Sequence, residues 1–130
     1  MINPVIKLQK EFNTLKEFAI EHKKEFTNEE ITKQVLILPF LKALGYDTKN
    51  PKIVKAEYSP ANVSNSFKVD YCILNKEVPS IFVEAKTYGR NLAKYVEQIE
   101  KYFNGSPSSE VGILTNGTEY QFSQGMQVLT

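Results

Sequence analysis

Three charged side chains stand inside two apolar runs of this chain. Asp70 lies in Val69-Asp70-Tyr71-Cys72-Ile73-Leu74, and Glu84 and Lys86 lie in Ile81-Phe82-Val83-Glu84-Ala85-Lys86. β-branched and aromatic residues mark both runs as largely buried strands. A charge set into such a strand is costly unless it is paired or holds a metal. Side chains alternate along a strand, so Glu84 and Lys86 share a face, and Asp70 on a neighbouring strand can share it too. Two carboxylates and an ammonium converging on one spot are the minimum equipment for holding Mg²⁺ and setting a water against a phosphate. The competing reading is a buried ion-paired network with no chemistry.

The pattern of Asp70, thirteen intervening residues and Glu84-Ala85-Lys86 carries little weight alone, because 24% of the chain is charged. Its position adds to it: the E-x-K closes its strand just before the turn Thr87-Tyr88-Gly89-Arg90, and sites tend to assemble at the carboxyl ends of sheet strands. Gln98 and Tyr102 follow four residues apart on an expected helix, where they share a face. An amide and a phenol there suit a nucleic-acid backbone; the plainer reading is a surface Gln and a half-buried Tyr. Glu29 and Glu30 open another helix, where acids also serve simply to favour the helix dipole. His22, the sole histidine, has no second imidazole to complete a site and reads as a solvated side chain near a helix end.

The elements that must position these residues follow from periodicity. Asn3 to about Phe26 is an amphipathic helix with Val5, Leu8, Phe12, Leu15 and Ala19 on its apolar side, joined by Ile6 and Phe18. Thr27 or Asn28 caps a second helix ending at Gly45, with Ile31, Val35, Leu36, Leu38, Leu41 and Leu44 as its buried stripe and a bend at Pro39. Strands are expected at Ile53–Tyr58, Val69–Leu74 and Ile81–Lys86, the last two joined by the polar linker Asn75–Ser80, with Pro60–Lys68 a loop. A helix from Asn91 to Phe103, stopped by Asn104-Gly105 and Pro107, precedes Val111–Thr115, a two-residue Asn116-Gly117 turn and Glu119–Ser123. Gln127–Thr130 is a short final strand or the start of a further segment. The order predicts an α/β protein, a mixed central β-sheet flanked by α-helices with one parallel crossover.

Composition bounds the function. The 130 residues suit a single domain, residues 1–130, and are too few for a motor as well. A net charge of +1 creates no global pull toward nucleic acid or anionic lipid, so such binding must come from local clustering of the sixteen Lys and Arg residues. The lone Cys72 forms no intrachain disulfide and fits a reducing cytoplasm. No membrane span, signal-peptide pattern or phosphate-binding G-x-x-x-x-G-K-[ST] loop is found, so neither a membrane nor ATP is expected as a partner.

A wider set of motifs resembles a known family. Asn28-Glu29-Glu30-Ile31-Thr32-Lys33, Leu38-Pro39-Phe40-Leu41, Leu44-Gly45-Tyr46-Asp47, Asn50-Pro51, Glu57-Tyr58, Val69-Asp70-Tyr71, Val83-Glu84-Ala85-Lys86, Gln98 to Tyr102 and Ile113-Leu114-Thr115-Asn116-Gly117 resemble the N-terminal nuclease domain of type I restriction enzyme R subunits. That family belongs to the PD-(D/E)XK nuclease superfamily. The resemblance covers about residues 27–123, leaving residues 1–26 as an added helix and 124–130 as a tail. It implies a restriction-endonuclease-like core and a Mg²⁺-dependent endonuclease acting on DNA, with Mn²⁺ as a substitute. It assigns metal binding to Asp70, Glu84, the carbonyl of Ala85 and Glu30, with Glu29 as the fallback helix acid. Lys86 would orient or activate the attacking water, and Gln98 and Tyr102 would match the family's Q-x-x-x-Y motif. Val69 stands where the superfamily's name expects proline. Expected partners are DNA, a second copy of the chain through the first helix, and other restriction or phage-defence subunits. The alternative is a catalytically silent nuclease-fold module that binds DNA or protein.

Overall fold

A computed structural model describes residues 3–59, 68–104, 110–124 and 127–129. Helix α1 (Pro4–Glu21) starts at Asn3, whose side chain accepts the amide of Val5, and is followed by a 3₁₀ turn at Lys23–Glu25. Leu8, Phe12, Leu15 and Ala19 face the protein, whereas Val5, Ile6, Phe18 and Ile20 remain exposed. Asn28 caps the next helix through its side chain, which accepts the Ile31 amide at 3.0 Å.

That second helix has three parts: α2 (Glu29–Thr32), a π turn (Lys33–Ile37) and α3 (Leu38–Ala43). A π turn precedes Pro39, the residue at which a bend is expected. The Leu38 amide reaches back five residues to the carbonyl of Lys33, so the ladder has already shifted when it meets the proline, which sits in the first turn of α3. The buried stripe is also displaced from the expected one. Thr32, Lys33, Leu36, Ile37 and Leu41 are buried, Ile31, Val35 and Leu38 are only partly so, and Leu44 is exposed.

The sheet has six strands in the order β1-β2-β3-β4-β5-β6: β1 (Val54–Tyr58), β2 (Val69–Asn75), β3 (Val78–Ala85), β4 (Val111–Thr115), β5 (Tyr120–Gln124) and β6 (Gln127–Leu129). All neighbours are antiparallel except β3 and β4, which are parallel and joined across a 3₁₀ turn (Ala93–Tyr95) and helix α4 (Val96–Asn104). The mixed sheet and its single parallel crossover are as expected. The Pro60–Lys68 loop, apart from Lys68, and the helix stop at Gly105 and Pro107 fall outside the described residues.

Two turns differ from expectation. The Asn75–Ser80 linker is a tight hairpin: Asn75 pairs with Val78, and Lys76 and Glu77 both take positive φ, 51° and 69°. Neither residue advertises that conformation as Asn-Gly does. Conversely, Asn116-Gly117 does not form a two-residue turn, because Thr115 pairs with Tyr120 and the loop spans four residues. Asn116 is buried instead, its side-chain oxygen accepting the amides of Thr118 and Glu119.

Apolar residues cover both faces of the sheet. On one face Tyr71, Ile73, Val83, Ala85 and Ile113 pack with Leu36, Ile37 and Leu41. On the other, Cys72, Phe82 and Leu114 pack with Leu92 and Ile99 of the crossover. Burial pushes the Cys72 thiol up to about 12, so it stays protonated and behaves as core. Among the described residues no helix is long and apolar enough to cross a membrane.

Candidate active site

The pairing of Tyr71 with Val83 brings Asp70, at the start of β2, beside Glu84, at the end of β3. Alternation puts Asp70 in step with Cys72 and Glu84 in step with Phe82, on the α4 face. Here the strand ladder gives way to side chains. Glu84 Oε1 accepts the Asp70 amide at 3.2 Å, and Asp70 Oδ2 accepts the Ala85 amide at 2.7 Å. One oxygen of each carboxylate is thus fixed by backbone.

The other two oxygens meet ammonium groups. Lys86 Nζ lies 3.2 Å from Glu84 Oε2, and Lys33 Nζ lies 3.3 Å from Asp70 Oδ1. Each lysine has a second acid from the first turn of α2: Lys33 holds Glu30 at 2.7 Å and Lys86 approaches Glu29 at 4.0 Å. Lys86 also sits over the Tyr95 ring, 4.3 Å from its centre.

Burial makes these charges consequential. Glu84 is 5% exposed, Lys33 6% and Lys86 8%. Burial, and then the adjacent charge of Asp70, hold the Glu84 carboxyl well above the ordinary carboxylate range, with Lys86 opposing them. Burial pulls Lys33 down, but hydrogen bonds and charge from Glu30 and Asp70 outweigh it and keep its ammonium above the usual lysine range. Its surroundings thus favour the charged form of Lys33, whereas those of Glu84 disfavour its charged form.

The structure therefore brings together Asp70, Glu84 and Lys86, and it places both helix acids nearby, each through a lysine. Among the described residues no three His, Cys, Asp or Glu side chains converge as a ready-made metal cluster. Gln98 is half-buried on α4; Tyr102 is on the same helix, its side chain outside the described residues. His22 is partly exposed just after α1, its ring tilted against that of Phe18. Beside the acids, Thr27, Asn28, Glu29, Glu30, Thr87 and Arg90 line an open cleft of about 710 Å³. An apolar hollow lined by α1, β5 and residues including Leu36 and Phe40 lies elsewhere and has none of these residues in its wall.

Lys33 and Tyr95 are site residues that the motif pattern does not single out. The i, i+3 spacing of Glu30 and Lys33 is the available signal for the first. Thr32 and Asn116 hold the surrounding loops: Thr32 Oγ1 accepts the Tyr88 amide at 3.1 Å, and the Asn116 amide group donates to the Arg90 carbonyl at 2.6 Å.

A mixed sheet that presents two acids and a lysine at the end of one strand pair, with helix acids closing over them, defines a restriction-endonuclease-like core. The match to a family model agrees: residues 28–128 fit the type I restriction enzyme R protein N terminus. The chain belongs to that family. Comparison with curated proteins and with solved structures gives no match. Helix α1 lies outside the matched segment.

Proposed function

We propose that this chain is a divalent-metal-dependent endonuclease domain that hydrolyses DNA phosphodiester bonds. The observation that carries the reading is the arrangement of Asp70 and Glu84, whose backbone-fixed carboxylates sit side by side in a low-dielectric strand pair with Lys86 against one of them. Family membership supports a restriction-related nuclease role and DNA as substrate.

The residues fit a hard divalent cation. Four carboxyl groups, Glu29, Glu30, Asp70 and Glu84, stand against two ammoniums, Lys33 and Lys86. All the donors are oxygens, the ligands Mg²⁺ and Mn²⁺ prefer. Asp70, Glu84 and the carbonyl of Ala85 would hold the ion, with Glu30 approaching from α2. A bound ion supplies charge stabilisation for the phosphate and lowers the pKa of a coordinated water.

The protein's own groups do the rest. The Asp70 and Ala85 amides orient the carboxylates before any substrate arrives, which preorganises the site. Lys86, confined by Glu84 and the Tyr95 ring, orients the attacking water and offsets negative charge on the phosphate. A standing ammonium suits that role better than outright proton abstraction. Gln98 and Tyr102 contact the nucleic-acid backbone.

The test is nicking of supercoiled plasmid with and without Mg²⁺, beside Lys86→Ala. Metal-dependent nicking by the native chain, absent in the variant, supports the reading. A folded native chain that binds plasmid without nicking it in Mg²⁺ or Mn²⁺ favours the silent DNA-binding module.

A further inference from the structure

We infer that Lys33 is a positioning residue of the site, its ammonium occupying the Asp70 oxygen that the backbone leaves unclaimed and competing there with a divalent cation. The inference deepens the nuclease reading and rests on it for the identity of the cation site.

Three observations carry it. First, of the four oxygens of Asp70 and Glu84, one on each carboxyl accepts a backbone amide and the other faces an ammonium, while the two carboxyls also lie within hydrogen-bonding reach of each other. A hydrogen bond to a main-chain amide cannot be withdrawn without opening the β2–β3 pair, but an ammonium on a four-carbon stem can swing away. Asp70 Oδ1, facing Lys33, is the displaceable position on Asp70.

Second, Lys33 is a buried lysine that no structural need of the helix explains. Its neighbours on the buried stripe, Thr32, Leu36 and Ile37, are neutral, and a neutral side chain would pack there without desolvating a charge. Its cost is offset where it bridges Glu30, which is highly exposed, to the strand carboxylate, with the centre of the Tyr71 ring 6.0 Å away. The bridge ties the first turn of α2 to β2 across the mouth of the site.

Third, the π turn begins at Lys33 itself. The shifted ladder keeps Leu36 and Ile37 against the sheet together with Lys33. The local helix geometry thus holds the ammonium stem at the core boundary.

In the metal-free protein Lys33 compensates the acids and keeps Asp70 aimed. A divalent ion would take Asp70 Oδ1 in place of the ammonium, with Glu30 on the same side of the site as a further oxygen donor. Lys33 then remains near the cleft as a cation available to phosphate.

The experiment is a calorimetric titration of Mn²⁺ into the full chain, native, Lys33→Met and Lys33→Gln, with thermal unfolding recorded in chelator and in saturating Mn²⁺. Lys33→Arg is run as the conservative variant. We expect the neutral variants to unfold at lower temperature in chelator, to bind Mn²⁺ several-fold more tightly, and to recover more from Mn²⁺ than the native chain does. Arg at this position is expected to keep near-native affinity. Equal or weaker Mn²⁺ binding by the neutral variants, or an equal loss of unfolding temperature with and without the ion, overturns the inference and leaves Lys33 a structural ion pair. Failure of both neutral variants to fold even in Mn²⁺ overturns it in the same way. If the native chain binds no Mn²⁺, the nuclease reading fails too, whereas native binding without tightening defeats this inference alone.

Discussion

The two buried lysines occupy matched positions with unlike surroundings. Lys33 comes from the helix and joins an exposed acid, Glu30, to the partly buried Asp70. Lys86 comes from the chain just beyond β3 and is enclosed by a buried acid, Glu84, and an aromatic ring. The difference lies in who can give up charge. Around Lys33 the hydrogen bonds and charge of Glu30 and Asp70 outweigh burial and raise the ammonium, so the cluster holds its cation in place. Around Lys86 the partner acid is the perturbed member and can neutralise itself by taking a proton. A reactive centre needs the second kind of environment, and a frame for it needs the first.

The sharpest break between the two is Lys86→Ala. Nicking should fall by about a hundredfold or more, the scale on which positioned acid–base and electrostatic groups act. Stability should fall little, because Glu84 takes up a proton when its partner leaves; thermal unfolding and a plasmid assay on one preparation check both. A loss of about 3–5 kcal/mol, as expected when a buried charge is stranded, would instead identify a structural network.

Gly117→Val tests the frame without touching either lysine. Gly117 has φ 85°, and a Cβ there would come within 2.8 Å of Leu36 Cδ1, next to the turn that carries Lys33. Denaturant unfolding should report a loss of about 1–3 kcal/mol.

The pH dependence of stability separates the clusters next. Glu84 has its folded pKa raised, so above the ordinary carboxylate range the folded chain keeps a proton that the unfolded chain has lost. Stability of the metal-free protein should therefore decline with rising pH across that window, by at most about 1.4 kcal/mol per pH unit. Glu84→Gln should flatten the decline. Lys33, with its pKa raised, adds stability throughout the neutral range and loses it only in strong alkali.

The smallest effects on stability belong to the helix acids. Glu30 is 79% exposed at its side chain, so Glu30→Ala should change unfolding by less than about 1 kcal/mol, and Glu29→Ala likewise. Nicking should discriminate them, with Glu30→Ala the more damaging because Glu30 is paired beside Asp70.

Much of this architecture is legible in the order of the residues. Apolar neighbours mark the strand runs around Asp70 and Glu84, and alternation alone places Glu84 and Lys86 of the E-x-K on one face. The parallel crossover follows from a helix between β3 and β4. What escapes a reading of the residues is set by tertiary contact. Lys33 falls off the apolar stripe that Ile31, Val35 and Leu38 suggest, because those residues imply a differently rotated helix, and the π turn that accommodates Pro39 has no local signature. The Lys76-Glu77 turn is hidden because both residues normally avoid positive φ. Asn116-Gly117 misleads in the opposite sense, since the asparagine serves as a buried acceptor and the glycine makes room for Leu36.

Main-chain amides, which any residue but proline supplies, grip one oxygen of each strand acid. The alignment of the reactive groups is therefore inherited from the integrity of one strand end, and loosening the last pairs of β2 and β3 would scramble the chemistry while the remaining sheet stayed intact. On the nuclease reading, opening the Tyr71–Val83 pair would cost the site its alignment even with every side chain still present.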